Sequence, residues 1–143
     1  MFKSIMQTRL IKFTLFTLLI LSTFEANAFF SPEVSQAMNQ AKICDKIIQN
    51  HVYTECMVNN NKELENAIIK ASEQKMASYS STKKKKIKAN LDKKTKSAAK
   101  QCMNEQVKFG DSMNGERRHT YCLYENLIEL LINVERNIDI YAR

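Results

Sequence analysis

The stretch between Cys102 and Cys122 constrains the fold most, because it holds the only two glycines of the chain, Gly110 and Gly115. A lysine-rich helical pattern precedes this stretch, and an apolar segment follows it, from residue 117 to about residue 140. A glycine-containing loop with a helical pattern on each side is typical of two helices that fold back on each other. The sequence therefore predicts a helical hairpin with its loop at residues 110–115.

Helix-forming signals also divide the preceding part of the chain. Ser31-Pro32-Glu33 combines a capping residue, a proline allowed at the first helical position and a favourably placed acid, so a helix should begin at Pro32 or Glu33. Asn50 is predicted to cap a second helix that runs from residue 51 to about residue 78. The polar residues 78–82 favour a turn over one very long helix, with Thr82 as the candidate cap of a third helix.

The apolar residues recur at three- and four-residue spacing, which is the period of an amphipathic helix. Three consecutive asparagines at positions 59–61 weaken the second helix, because asparagine is a poor helix former. One side of the third helix carries Ile87, Leu91, Thr95, Ala98, Cys102 and Gln106. The last helix has the broadest apolar face, formed by Tyr121, Leu123, Leu127, Leu130, Leu131, Val134 and Ile138. We predict an all-α, disulfide-stapled antiparallel bundle of three long helices and a shorter N-terminal one.

The cysteine spacing fits this bundle. Cys44 and Cys56 lie six residues on either side of Asn50, and Cys102 and Cys122 lie eight and seven residues outside the two glycines. All four sulfurs should then lie near one end of the bundle, so height alone leaves crossed pairings open. Short loops close at a lower entropic cost, which favours the pairs Cys44–Cys56 and Cys102–Cys122.

The N-terminal residues 1–28 resemble a secretory signal, with three basic residues, an apolar core at residues 13–21 and Ala26-Asn27-Ala28 before the expected cleavage. The apolar core is shorter than the roughly 20 residues that a membrane span needs. No cysteine follows it, so no lipid anchor is indicated. We predict a periplasmic or secreted protein with one domain, residues 29–143, in a compartment where disulfides persist.

The positive charge is concentrated in one segment. Removal of residues 1–28 lowers the net charge from +7 to +5, yet residues 70–108 alone carry 12 lysines against three acids. The flanking segments 33–69 and 109–143 are each slightly acidic. One face or end should therefore attract anions.

Around its cysteines the chain resembles the LprI-type lysozyme-inhibitor-like domain family of small helical proteins of the bacterial envelope. The residues that carry the resemblance are Cys44 and Cys56 followed by Lys62-Glu63-Leu64-Glu65-Asn66-Ala67-Ile68, then Cys102, Gly110-Asp111-Ser112-Met113 and Tyr121-Cys122-Leu123. The family's tryptophan and Arg-Asp pair are replaced by Lys94, Ala98 and Ala99. The resemblance implies a single helical LprI-like domain and a non-enzymatic binding protein whose partner is a lysozyme or another envelope protein.

The chain offers little for catalysis or metal binding. Its cysteines are predicted to be paired, and His51 and His119 are single residues near predicted helix starts. No Cys-x-x-Cys or His-x(3-5)-His spacing occurs, so no metal or other cofactor is predicted. We predict no enzymatic activity.

Two binding surfaces remain as candidates. A protein partner would meet the polar loop that contains Asp111, Ser112, Asn114 and Glu116. An anionic polymer or lipid surface would meet a lysine patch made of Lys83, Lys84, Lys85, Lys86, Lys88, Lys93, Lys94 and Lys96. A solvated helix face is the simplest alternative for these lysines. Nucleic acid is disfavoured, because few aromatic residues interleave them and secretion removes the usual ligand.

Overall fold

The part of the chain that the structure describes folds into four α-helices and a C-terminal 3-10 helix. The computed structural model describes residues 30–109 and 113–143, so the predicted signal peptide lies outside the described residues. The elements are α1 (Pro32–Asp45), α2 (Asn50–Lys75), α3 (Ser81–Phe109), α4 (Met113–Asn137) and a 3-10 helix (Ile138–Ala142). The described residues contain no strand. The predicted all-α, disulfide-containing bundle is confirmed.

Helices α1 and α2 form a hairpin that is closed by the Cys44–Cys56 disulfide. Helix α1 begins at Pro32, as predicted, and buries Val34, Ala37 and Cys44 against the bundle. The prediction that Asn50 caps α2 is wrong, because Asn50 is the first helical residue and Gln49 precedes it in extended conformation. The Asn50 side chain instead accepts a hydrogen bond from Arg117, 2.9 Å away.

The consecutive asparagines lie in an unbroken part of α2. Asn59 is exposed, whereas Asn60 and Asn61 are buried. The Asn60 amide donates to the carbonyl of Ala37 at 3.2 Å, and the Asn61 amide donates to the carbonyl of Thr120 at 2.9 Å. These two bonds link α2 to both α1 and α4, which explains why poor helix formers are accommodated here.

The predicted turn between the second and third helices is confirmed and lies between Lys75 and Ser81. Ser80, rather than Thr82, caps α3, since its hydroxyl accepts a hydrogen bond from the Lys83 amide at 3.4 Å. A cap at this position satisfies one of the amide groups that a helix start leaves without a partner.

Helix α4 is the core helix, as predicted, and packs against both α2 and α3. Its fully buried residues are Leu127, Leu131 and Val134. The prediction for Tyr121 is wrong, because this side chain is 39% exposed while Thr120 is buried. Thr120 lies four residues before Tyr124 and seven before Leu127, which places it in the core stripe, whereas Tyr121 is rotated by about 100° from Thr120 to the edge of that stripe.

The ends of α4 also differ from the prediction. The helix begins at Met113, so Gly115 is a buried helical residue and not part of a loop. The helix ends at Asn137, whose side chain accepts a hydrogen bond from the Asp139 amide. The 3-10 helix that follows packs against α3, where Asn90 donates to the carbonyl of Tyr141 at 2.8 Å.

The second disulfide joins Cys102 on α3 to Cys122 on α4. Both pairings are those favoured by loop length, and all four cysteines of the chain are used. Asn126 donates to the Cys122 carbonyl at 2.9 Å beside this disulfide. Arg117 hydrogen-bonds Ile47 and Asn50, so the start of α4 meets the bend between α1 and α2 at the same end of the bundle.

Candidate functional site

The outward side of α3 concentrates the positive charge. At about 100° of rotation per residue, the buried residues Ile87, Leu91 and Cys102 lie on one side of this helix. The opposite side, over an arc of about 100°, carries five exposed lysines. We call them the α3 lysine stripe: Lys85, Lys86, Lys93, Lys96 and Lys100.

Few acids neutralise this stripe. Asp92 lies at its edge and pairs with Lys96 at 2.7 Å, but both side chains are more than half exposed. Such exposed pairs contribute at most about 1 kcal/mol. Within residues 30–109 and 113–143, none of the other four stripe lysines has an ion-pair partner. The stripe is therefore an array of exposed ammonium groups that a negatively charged partner can contact.

The structure divides the predicted lysine patch into stripe members and others. Lys84 donates to the carbonyl of Ala77 at 3.0 Å, and Lys88 pairs with Glu73 at 3.2 Å. Lys94 is exposed but lies outside the arc of the stripe, towards the buried side of the helix. Lys100, from the same basic run, joins the stripe instead.

Lys83 belongs to a separate cluster at the start of α3. Its ammonium group pairs with Asp139 at 2.8 Å and lies 3.8 Å from the centre of the Tyr79 ring. The hydrogen bond to Asp139 raises the pKa of Lys83, and hydrogen bonds from Lys83 and then Tyr79 lower the pKa of Asp139. This cluster links the 3-10 helix to the start of α3. Because the Lys83 ammonium group is already paired with Asp139, it is less available to a ligand than the stripe lysines are.

The predicted partner-binding loop is described only in part. Asp111 and Ser112 lie outside the described residues, while Asn114 and Glu116 are exposed in the first turn of α4. Arg117, the residue after Glu116, lines an open cleft of about 500 Å³. The other residues that line this cleft are Tyr53, Glu105, Arg118, Tyr121, Cys122 and Glu125.

Arg117 organises this cleft. Its guanidinium lies 3.8 Å from the centre of the Tyr53 ring and donates to Asn50 and Ile47. Burial, and to a smaller extent the charge of Asp45, raises the pKa of Tyr53. The phenol is therefore neutral at physiological pH. The cleft was not predicted, since its residues come from three helices that are distant in sequence.

A second concave surface lies between α2 and α3. This groove of about 330 Å³ is lined by the apolar residues Ile68, Ile69 and Leu91. Its rim is charged, with Glu73 and Lys88 paired across it. The groove was not predicted either, because it depends on how α2 and α3 pack against α4. Both helices contact α4 more extensively than they contact each other.

The two histidines lie in different surroundings. His51 is exposed, and His119 is partly buried with its Nδ1 atom unpaired among the described residues. Within the same residues, no three histidine, cysteine, aspartate or glutamate side chains are grouped so as to hold a metal ion. In this part of the chain, no helix combines the length and the hydropathy needed to cross a bilayer.

Comparison with protein-family models, with curated proteins and with solved structures found no match to this chain. The resemblance to the LprI-type domain therefore stays a prediction. Support for a function therefore comes from the geometry of the stripe and of the cleft.

Proposed function

We propose that this protein is a non-enzymatic, exported binding protein that attaches to anionic material of the cell envelope through the α3 lysine stripe. The observation that carries the proposal is the separation of charge on α3, where five exposed lysines share one arc and the nearest acid pairs at its edge. The two disulfides support an oxidising compartment outside the cytosol.

The spacing of the stripe lysines destabilises α3 through repulsion between like charges. Lys96 and Lys100 are four residues apart, and Lys93 and Lys96 are three apart, so like charges face each other along the helix. Such pairs destabilise a helix by a few tenths of a kcal/mol each. A negatively charged surface relieves this repulsion.

The expected strength follows from the number of lysines. Each lysine close to an anionic surface contributes about 1 kcal/mol at physiological ionic strength. The attraction decays over about 8 Å at 0.15 M salt, so only residues that face the surface contribute fully. Five lysines on one side of a helix therefore support stable but salt-sensitive attachment.

Charge variants test this proposal. Replacement of all five stripe lysines by glutamine should weaken binding to phosphatidylglycerol vesicles and to soluble polyphosphate by on the order of a hundredfold or more. The control carries the same change of net charge on other exposed lysines: Lys42, Lys46, Lys62, Lys70 and Lys75 to glutamine.

Binding can be measured by sedimentation with vesicles and by retention on immobilised polyphosphate, at rising salt. The control variant should keep most of the wild-type affinity. Equal losses in the two variants would mean that net charge, and not the stripe, governs attachment. Absence of wild-type binding at low salt would refute the proposal.

A second candidate function is recognition of a protein partner, such as a lysozyme, at the start of α4. The cleft that follows Asn114 and Glu116 in the chain favours it, because Arg117, Arg118 and Tyr121 are of the residue types that dominate protein interfaces. Inhibition of a lysozyme by the wild-type protein, lost in Arg117→Ala but retained in the stripe variant, would support this function. Unchanged activity of several lysozyme classes with excess protein would eliminate it.

A further inference from the structure

The outward arc of α3 does not end with lysines. Met103 and Val107 follow Lys100 in the same arc and are 54% and 73% exposed. No carboxylate separates them from the stripe, since Glu105 lies on another side of the helix and pairs with Lys108 at 2.6 Å. The arc is thus cationic over most of its length, and its C-terminal end carries these two apolar side chains together with the exposed Asn104.

This combination distinguishes two kinds of anionic partner. A soluble polyanion offers a negative charge to the lysines and nothing to Met103 or Val107. A lipid bilayer offers both, because anionic headgroups lie above an apolar layer that accepts side chains from helices lying in the interface. The apolar pair therefore favours a bilayer over a polymer.

The dimensions of α3 agree with lengthwise docking. Lys85 and Val107 are 22 residues apart, which corresponds to roughly 33 Å along a helix. The five stripe lysines, Met103 and Val107 lie on the exposed side of one uninterrupted helix, so a flat surface can contact them together. Lysine ammonium groups can remain at the headgroups while their stems, and the shorter apolar side chains, reach below.

We propose that α3 lies along an anionic lipid bilayer, with its lysine stripe at the headgroups and with Met103 and Val107 inserted beneath them. This inference rests on the proposed function and names the surface. It also gives the bound protein an orientation, with the C-terminal end of α3 closest to the acyl chains.

A double substitution separates insertion from charge attraction. Met103→Ser with Val107→Ser should weaken binding to phosphatidylglycerol vesicles about tenfold or more, because the apolar area buried in the bilayer is lost. Binding to polyphosphate should stay unchanged. The matched control is Val58→Ser with Ile69→Ser, which removes two half-exposed apolar side chains from α2 and should leave both affinities at the wild-type level.

A fluorescent reporter observes insertion directly. The chain has no tryptophan, so Val107→Trp introduces a single indole, and Val58→Trp serves as its control. On phosphatidylglycerol vesicles the emission of Trp at position 107 should shift to the blue and be quenched by brominated acyl chains. The emission of Trp at position 58 should not change.

The outcomes distinguish the two proposals. Vesicle affinity at the wild-type level in the Met103 and Val107 double variant, with an unquenched indole at position 107, would overturn the insertion while attachment through the lysines stands. A loss of vesicle and polyphosphate binding that is confined to the lysine variant would likewise overturn the insertion and support attachment through charge. Failure of the wild-type protein to bind either material would overturn both.

Discussion

Asn61 provides the sharpest test of the packing, because its amide joins α2 to α4. We predict that Asn61→Asp destabilises the protein by about 3 kcal/mol at pH 7, since it places an unpaired carboxylate against the Thr120 carbonyl, 2.9 Å from the present donor. The shapes of the two side chains are nearly the same, so no cavity contributes. The loss is a large fraction of the roughly 5 to 15 kcal/mol that holds a small domain together.

The penalty should depend on pH with a definite sign. Burial without a cation raises the pKa of the new carboxyl in the folded state by about two units above its unfolded value near 3.9, given about 1.36 kcal/mol for each unit. The penalty is absent below the unfolded pKa, where a protonated carboxyl can donate to Thr120 as the amide does. It grows as the pH rises and is complete above the raised folded pKa.

Urea unfolding followed by circular dichroism, at several values between pH 4 and pH 7, measures this effect. Asn59→Asp is the control, because it makes the same change of charge at an exposed position of the same helix. The difference in unfolding free energy between the two variants should shrink to about 0.5 kcal/mol at pH 4, where the carboxyl is about half ionised in the unfolded state. A difference below about 0.5 kcal/mol at pH 7, or one that does not vary with pH, would refute the buried contact.

Two further predictions concern the cross-links of α3. Replacement of Cys102 and Cys122 by serine should lower the unfolding free energy by about 3 kcal/mol, because a loop closed over 20 residues is released; an unchanged urea midpoint would contradict this. Lys83, and then Tyr79, lower the pKa of Asp139, so the ion pair is fully present above the usual aspartate value of 3.8 and is lost as the pH falls through the lowered folded pKa. The protection of amides in the 3-10 helix, relative to their intrinsic exchange rate at each pH, should fall there, and already at neutral pH in Asp139→Asn, whereas equal exchange rates of the variant and the wild type at neutral pH would exclude the contact.

The helices and their disulfides could be predicted because both depend on local spacing. Period and capping signals place a helix start at Pro32, and loop length favours Cys44 with Cys56. Residues whose conformation depends on distant partners could not be placed in the same way. Asn60 and Asn61 are poor helix formers by propensity, yet carbonyl groups on α1 and α4 accept their hydrogen bonds.

The candidate site was predicted as a lysine patch, but the structure groups its lysines differently. Within the lysine run, Lys83 and Lys88 are engaged by Asp139 and Glu73, residues that are remote in sequence or on another helix. The structure confirms that Ile87, Leu91 and Cys102 form the buried side of α3, and it shows that Met103 and Val107 are exposed on the opposite side. The sequence indicates that this segment is basic, and the tertiary packing determines which of its lysines pair with acids.

Lysine footprinting on bound protein tests the central claim most directly. Acetylation of the wild-type protein, alone and on phosphatidylglycerol vesicles, followed by mass spectrometry gives a protection factor for each lysine. We expect strong protection at Lys85, Lys86, Lys93, Lys96 and Lys100, and none at Lys62 and Lys75 on α2. Uniform protection of all lysines, or protection confined to α2, would contradict attachment through the α3 lysine stripe.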